Sequence, residues 1–125
     1  MVVGILQFEL LIPGATSLKD KRRVVRSVKD RLHREHQVAV AEVGSQQVLN
    51  VAVLGLASVS SDGARVGRTL DSIVAKMRCL REAELGGTKR RVTEVEVMPP
   101  TEGMDDADRE NLSKELLKMM DGEGL

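Results

Sequence analysis

The chain has 125 residues, one domain's worth of material, and its 42% hydrophobic and 30% charged content is a globular balance rather than that of a disordered chain. The 19 Lys/Arg and 19 Asp/Glu cancel formally. A single Phe without Tyr or Trp argues against stacking platforms and aromatic cages, and a single Cys (Cys79) excludes an internal disulfide and a Cys-based zinc site. No apolar run approaches the ~20 residues of a membrane span. Met1-Val-Val-Gly4 lacks the basic region of a signal peptide, so a cytoplasmic protein is expected.

Val2 to Ile12 alternates, with Leu6, Phe8, Leu10 and Ile12 on one face and Gln7 and Glu9 on the other, which predicts a strand that Pro13-Gly14 ends. Ser17-Leu-Lys-Asp20 then supplies a cap and an acidic first turn for a helix running to about His33–Glu35, with Val24, Val25, Val28 and Leu32 as its apolar stripe. Gln37–Val43 reads as a second strand, Gly44-Ser45 as a turn and Gln47–Val59 as a third strand. A second helix is expected over Ala64–Glu84, buried through Val66, Leu70, Ile73, Val74, Met77 and Leu80 and stopped by Gly86-Gly87. Arg91–Met98 reads as a fourth strand before Pro99-Pro100. The final amphipathic segment, 105–120, has acidic residues at its start and Leu112, Leu116, Leu117, Met119 and Met120 on its apolar side.

The order βαββαβ with right-handed crossovers predicts an α+β, ferredoxin-like fold. Its antiparallel four-stranded sheet has order 4-1-3-2, both helices lie on one face, and the other face is left open. The division expected is a domain over residues 1–100 and an acidic helical extension over 101–125. The zero net charge conceals a split: residues 1–101 hold 16 Lys/Arg against 11 Asp/Glu, and the remaining residues hold 3 against 8.

Leu11-Ile-Pro-Gly-Ala-Thr-Ser-Leu-Lys-Asp-Lys-Arg-Arg-Val, followed by Val38-Ala-Val-Ala-Glu-Val43, Leu54-Gly-Leu-Ala57 and Ser60-Ser-Asp62, resembles the YlxP-like family of small bacterial proteins, a family of unknown function. The resemblance spans about residues 1–98. It implies a ferredoxin-like fold and, through genes that often neighbour translation and ribosome-maturation genes such as that of ribosome-binding factor A, a connection to the ribosome or RNA. The chain departs from the family in having Leu49, Val51 and Val53 where Trp, Arg and Glu are usual, and in extending beyond the fourth strand. These three aliphatic residues are expected on one face of strand three, covered either by the extension's apolar stripe or by a second copy of the chain.

The candidate site is the basic first helix. Residues 19–36 carry eight Lys/Arg and three Asp/Glu, and Lys19, Arg22, Arg26, Lys29 and His33 fall on the side away from the apolar stripe. Such a stripe suits phosphate backbones through counterion release. Lys19, Lys21, Arg22, Arg23, Arg26 and Lys29 are therefore candidate nucleic-acid contacts, with Lys89, Arg90 and Arg91 as a second patch. The alternative is a solvated face paired within itself through Arg26, Asp30 and Arg34 at i, i+4 spacing.

Other chemistry finds less support. His33 and His36 lack a third ligand in sequence reach and read as surface histidines. Glu9, Glu42, Glu94 and Glu96 read as a solvated acidic strand face, and Cys79 as a small hydrophobe. Gly63-Ala-Arg-Val-Gly67 lacks the Lys-Ser/Thr of a phosphate loop, and capping is the simpler role for Ser60-Ser61-Asp62 than holding an anion. No catalytic constellation, metal, cofactor or small-molecule ligand is expected. The expectation is a non-enzymatic accessory protein binding ribosomal RNA or the ribosome. The competing reading is a protein-interaction module that forms a homodimer through Leu49, Val51 and Val53 on the open sheet face.

Overall fold

A computed structural model describes residues 1–101 and 106–122, with side chains through Met120. The elements are β1 (Val2–Leu11), α1 (Leu18–His36), β2 (Ala39–Gly44), β3 (Val51–Ser60), α2 (Gly63–Arg78), β4 (Glu84–Glu94) and α3 (Asp106–Gly122). The four strands form one antiparallel sheet in the order β2-β3-β1-β4, which is the expected 4-1-3-2 read from the β4 edge.

The alternation in β1 decides which face is filled. Val2, Leu6, Phe8 and Leu10 are buried, as is Ile12 just beyond the strand. They meet Ala52, Leu54 and Leu56 of β3, the α1 stripe Val24, Val25, Val28 and Leu32, and the α2 stripe Val66, Leu70, Ile73 and Met77 in one core. Both helices therefore cover the same face, and burial of each large side chain contributes roughly 1.5–3 kcal/mol before entropy costs. Gly4 lies in this layer because α2 leaves no room: an added Cβ would overlap Val66 Cγ1 and sit 3.1 Å from Leu70 Cδ1.

Ser17 caps α1 by accepting from Asp20 N, and Asp62 caps α2 by accepting from Ala64 N. α1 closes on Gln37, whose φ of 54° places it in the left-handed region while its N–H donates to His33 O. Three elements depart most from their expected bounds. α2 stops at Arg78 instead of Glu84, because the chain leaves the helix at Cys79, whose N–H donates to Lys76 O. Gly86-Gly87 then falls inside β4, which runs Glu84–Glu94 instead of Arg91–Met98. Gly86 fits there because a Cβ would collide with Glu9 Oε1 of the neighbouring strand, beside the irregularity between Phe8 and Leu10. β3 begins at Val51, after a turn in which Ser45 takes a positive φ and its carbonyl accepts from Val48 N.

Among the described residues no helix lies on the second face of the sheet. Val3, Ile5, Gln7, Glu9 and Leu11 of β1 point there beside Val51, Val53, Gly55, Ala57 and Val59 of β3. Leu49 lies ahead of β3, in the turn, so only Val51 and Val53 of the expected trio belong to the strand face. The expected acidic face does not form. Glu42 opposes Leu54 and Glu94 opposes Val2, both on the helix side, while Glu9 is on the open side and Glu96 lies beyond β4. The extension is helical where described, but it does not cover the open face: Ile5 and Val59 stay exposed, and so do Leu117, Met119 and Met120. Asp105, expected at the helix start, lies outside the described residues, as does Glu102 at the start of the acidic segment.

Candidate nucleic-acid interface

The α1 stripe that buries Val24, Val25, Val28 and Leu32 turns the opposite flank of the helix outward. Lys19, Arg22, Arg23 and Arg26 are exposed there and border one shallow hollow together with Asp20. Asp20 does not neutralise them through a direct pair, since its Oδ2 accepts from Thr16 N at 3.1 Å and from Thr16 Oγ1 at 2.7 Å. The Thr16 hydroxyl, then the Thr16 amide, hold its carboxyl below the ordinary range. Among the described residues no carboxylate lies within ion-pair distance of Lys19, Arg22, Arg23 or Arg26. The alternative, a pairing of Arg26, Asp30 and Arg34 within the helix, is not formed among the described residues; α1 instead pairs Arg31 with Glu35 at 3.3 Å.

Two parts of the predicted interface fall elsewhere. Lys21 is 1% exposed and belongs to the interior. Its Nζ lies 3.1 Å from Glu42 Oε2 of β2 and donates to Ser45 O at 2.5 Å. The Glu42 contact is an ion pair without an aligned hydrogen bond, and Oε2 is otherwise unpartnered. The helix lies so close to β2 at this point that a long side chain spans the gap, and its charge then needs an anion on the strand. Lys29 is half-buried at the margin of the basic face.

The cluster Lys89-Arg90-Arg91 is divided by the strand that carries it. Arg90 opposes Leu6 on the helix side, and its Nη1 donates to Asp71 Oδ1 at 2.6 Å. Lys89 and Arg91 oppose Gln7 and Ile5 on the open side, so they do not extend the α1 patch. Sequence reasoning missed both acidic partners, Glu42 and Asp71, because each sits on a different element from its cation. His33 contacts Val38 O at 3.1 Å, and His36 contacts Lys76 at 2.9 Å. No grouping of three or more His, Cys, Asp or Glu suited to a metal occurs among the described residues. No helix among them is long and apolar enough to cross a membrane.

A four-stranded antiparallel sheet with two helices on one face and an open second face defines a small α+β protein. Residues 3–90 match the sequence profile described as "Protein of unknown function (DUF503)", and the chain belongs to that family. It is similar to the protein named "Uncharacterized protein YlxP" of Bacillus subtilis (strain 168), with 29% identity over 83 residues, covering 66% of this chain and 90% of that protein.

Proposed function

We propose that this chain is a cytoplasmic, non-enzymatic accessory protein of ferredoxin-like fold that binds RNA, in the setting of the ribosome, through the exposed end of α1. The observation that carries the reading is the group Lys19, Arg22, Arg23 and Arg26, four exposed cations with no carboxylate in ion-pair distance among the described residues. Cations in this state exchange counterions for phosphates with little competition from the protein itself. Contacts through a helix flank read the backbone rather than bases, and the scarcity of aromatic residues fits that mode. The test is co-sedimentation of the purified chain with ribosomal subunits at low and physiological salt. Retention on one subunit at physiological salt is expected, and binding confined to low salt would reduce the reading to generic polyanion attraction.

A second reading rests on the open sheet face, where Ile5 is 38% and Val59 62% exposed beside Val51 and Val53. A second copy seated across this face would remove an apolar surface from water. Sedimentation velocity decides it: Ile5→Lys should convert a dimer to a monomer, and a monomeric parent chain would end this reading.

A further inference from the structure

At the other end of α1, away from the basic flank, lies a polar hollow of about 590 Å³. It is bounded by Arg34 and His36 at the end of α1, by Ser58 and Ser60 at the end of β3, and by Arg65 and Thr69 in the first turns of α2. Helix rise sets its distance from the basic flank: at ~1.5 Å per residue, Arg34 is ~12 Å along the axis from Arg26 and more than ~20 Å from Lys19. The two surfaces are therefore separate.

Ser58 is the informative residue. It continues the core-facing series Ala52, Leu54, Leu56 of β3 and opposes Gly4, so its side chain points toward the helices, into this hollow. It is 9% exposed, and its hydroxyl has no hydrogen-bond partner among the described residues. The hydroxyl opens onto the hollow, so it is free to donate to a molecule placed there. Arg34 and Arg65 have no carboxylate within ion-pair distance among the described residues. The one carboxylate in the lining, Glu35, is engaged by Lys76 and Arg31. Ser60 Oγ accepts from Asp62 N, which leaves its O–H free to donate elsewhere. The α2 N-terminus adds nothing to this field, since the Asp62 carboxylate caps Ala64 N and offsets the positive helix end.

We infer that this hollow binds a phosphate group, with the Arg34 and Arg65 guanidiniums supplying charge and the Ser58 hydroxyl supplying a donor from its floor. Guanidinium forks and hydroxyl donors are the groups that recognise phosphate oxygens. The inference does not depend on the role given to Lys19–Arg26.

The test is titration of inorganic phosphate into the ¹⁵N-labelled full chain at constant ionic strength. Saturable amide shifts are expected at Arg34, Ser58, Arg65 and Thr69. Arg65→Gln should weaken the affinity at least about tenfold and Ser58→Ala about fivefold or more, as loss of a charged and of a neutral donor requires. The folded state of each variant is checked from the same spectra. Arg23→Gln, on the basic flank, should leave the phosphate affinity unchanged, which keeps this site's failure distinct from failure of the RNA reading. Two further probes then identify the source of the phosphate. Tighter binding of adenosine monophosphate than of a hexaribonucleotide without terminal phosphates assigns a small phosphomonoester, and the reverse order assigns a phosphodiester backbone. Shifts that do not saturate, that are confined to Lys19–Arg26, or that are indifferent to Arg65→Gln and Ser58→Ala would overturn the inference.

Discussion

Lys21 and Glu42 join α1 to β2 from within: Lys21 Nζ stands 3.1 Å from Glu42 Oε2, and the lysine is withdrawn from solvent. Removing one partner of such a pair strands the other charge, which costs far more than the pair contributes. Lys21→Ala should lower the unfolding free energy by on the order of 3 kcal/mol. The double variant Lys21→Met/Glu42→Leu should recover most of it. Urea unfolding monitored by circular dichroism measures both. A loss of under about 0.5 kcal/mol, the range of ordinary surface changes, would mean that the pair is solvated in solution.

The basic flank of α1 makes a prediction that separates it from Lys21. Replacing Arg22, Arg23 and Arg26 together by Ala should leave the melting temperature nearly unchanged, since all three are exposed. It should also flatten the dependence of log K on log salt for a ribosomal RNA fragment by about 2–3, because each phosphate that is no longer neutralised keeps its counterion. An unaltered slope would remove this flank from the interface.

Acid should act on the two ends of α1 in a set order. Burial, then the neighbouring Lys76 ammonium, hold the His36 imidazole below its ordinary value, so the unfolded chain takes up this proton at higher pH than the folded one. Stability therefore falls as pH drops from about 6.5 toward the lowered folded value. The hydrogen bond from Lys76 depresses Glu35, and the Thr16 hydroxyl depresses Asp20. Their contributions are present above the unfolded carboxylate range, about 4, and are lost as pH falls through their lower folded values. Thermal melts between pH 7.5 and 3 check the order, and His36→Gln should flatten only the segment that begins near pH 6.5 and precedes the carboxylate range.

Two glycine-to-alanine changes should have opposite signs. Gly4→Ala drives a methyl into Val66 and should destabilise by about 1–3 kcal/mol. Gly67→Ala, inside α2 with open space around its Cα, should stabilise by about 0.5–1 kcal/mol. Equal effects in a thermal-melt series would contradict the packing of α2 on β1.

The elements that bury a periodic face could be read from the sequence. β1 shows its alternation and α1 and α2 their stripes because one side of each is filled by the same core. β4 could not be placed by the same means. As an edge strand it is exposed along most of its length, so no alternation marks it, and Gly86-Gly87 imitates a helix stop. The basic character of α1 was equally plain, but which cations remain free was not. Lys21 is removed by a carboxylate on β2 and Arg90 by one on α2, pairings that exist only once the layers are assembled. Ser58 carried a faint signal, a hydroxyl at a core-facing position of β3, which gains meaning only when Arg34 and Arg65 are seen beside it.

The position of β1 also constrains the time order of folding. It is the first strand to leave the ribosome and is flanked on both sides in the finished sheet, by β3 and by β4. Val2 lies opposite both Ser60 and Glu94, and the backbone of Met1 exchanges hydrogen bonds with Val95. During synthesis one edge of β1 therefore stays bare after the other has been paired, until nearly the whole sheet sequence has emerged. Pairings of such sequence separation close slowly, and an unpaired apolar strand edge invites association with other nascent chains.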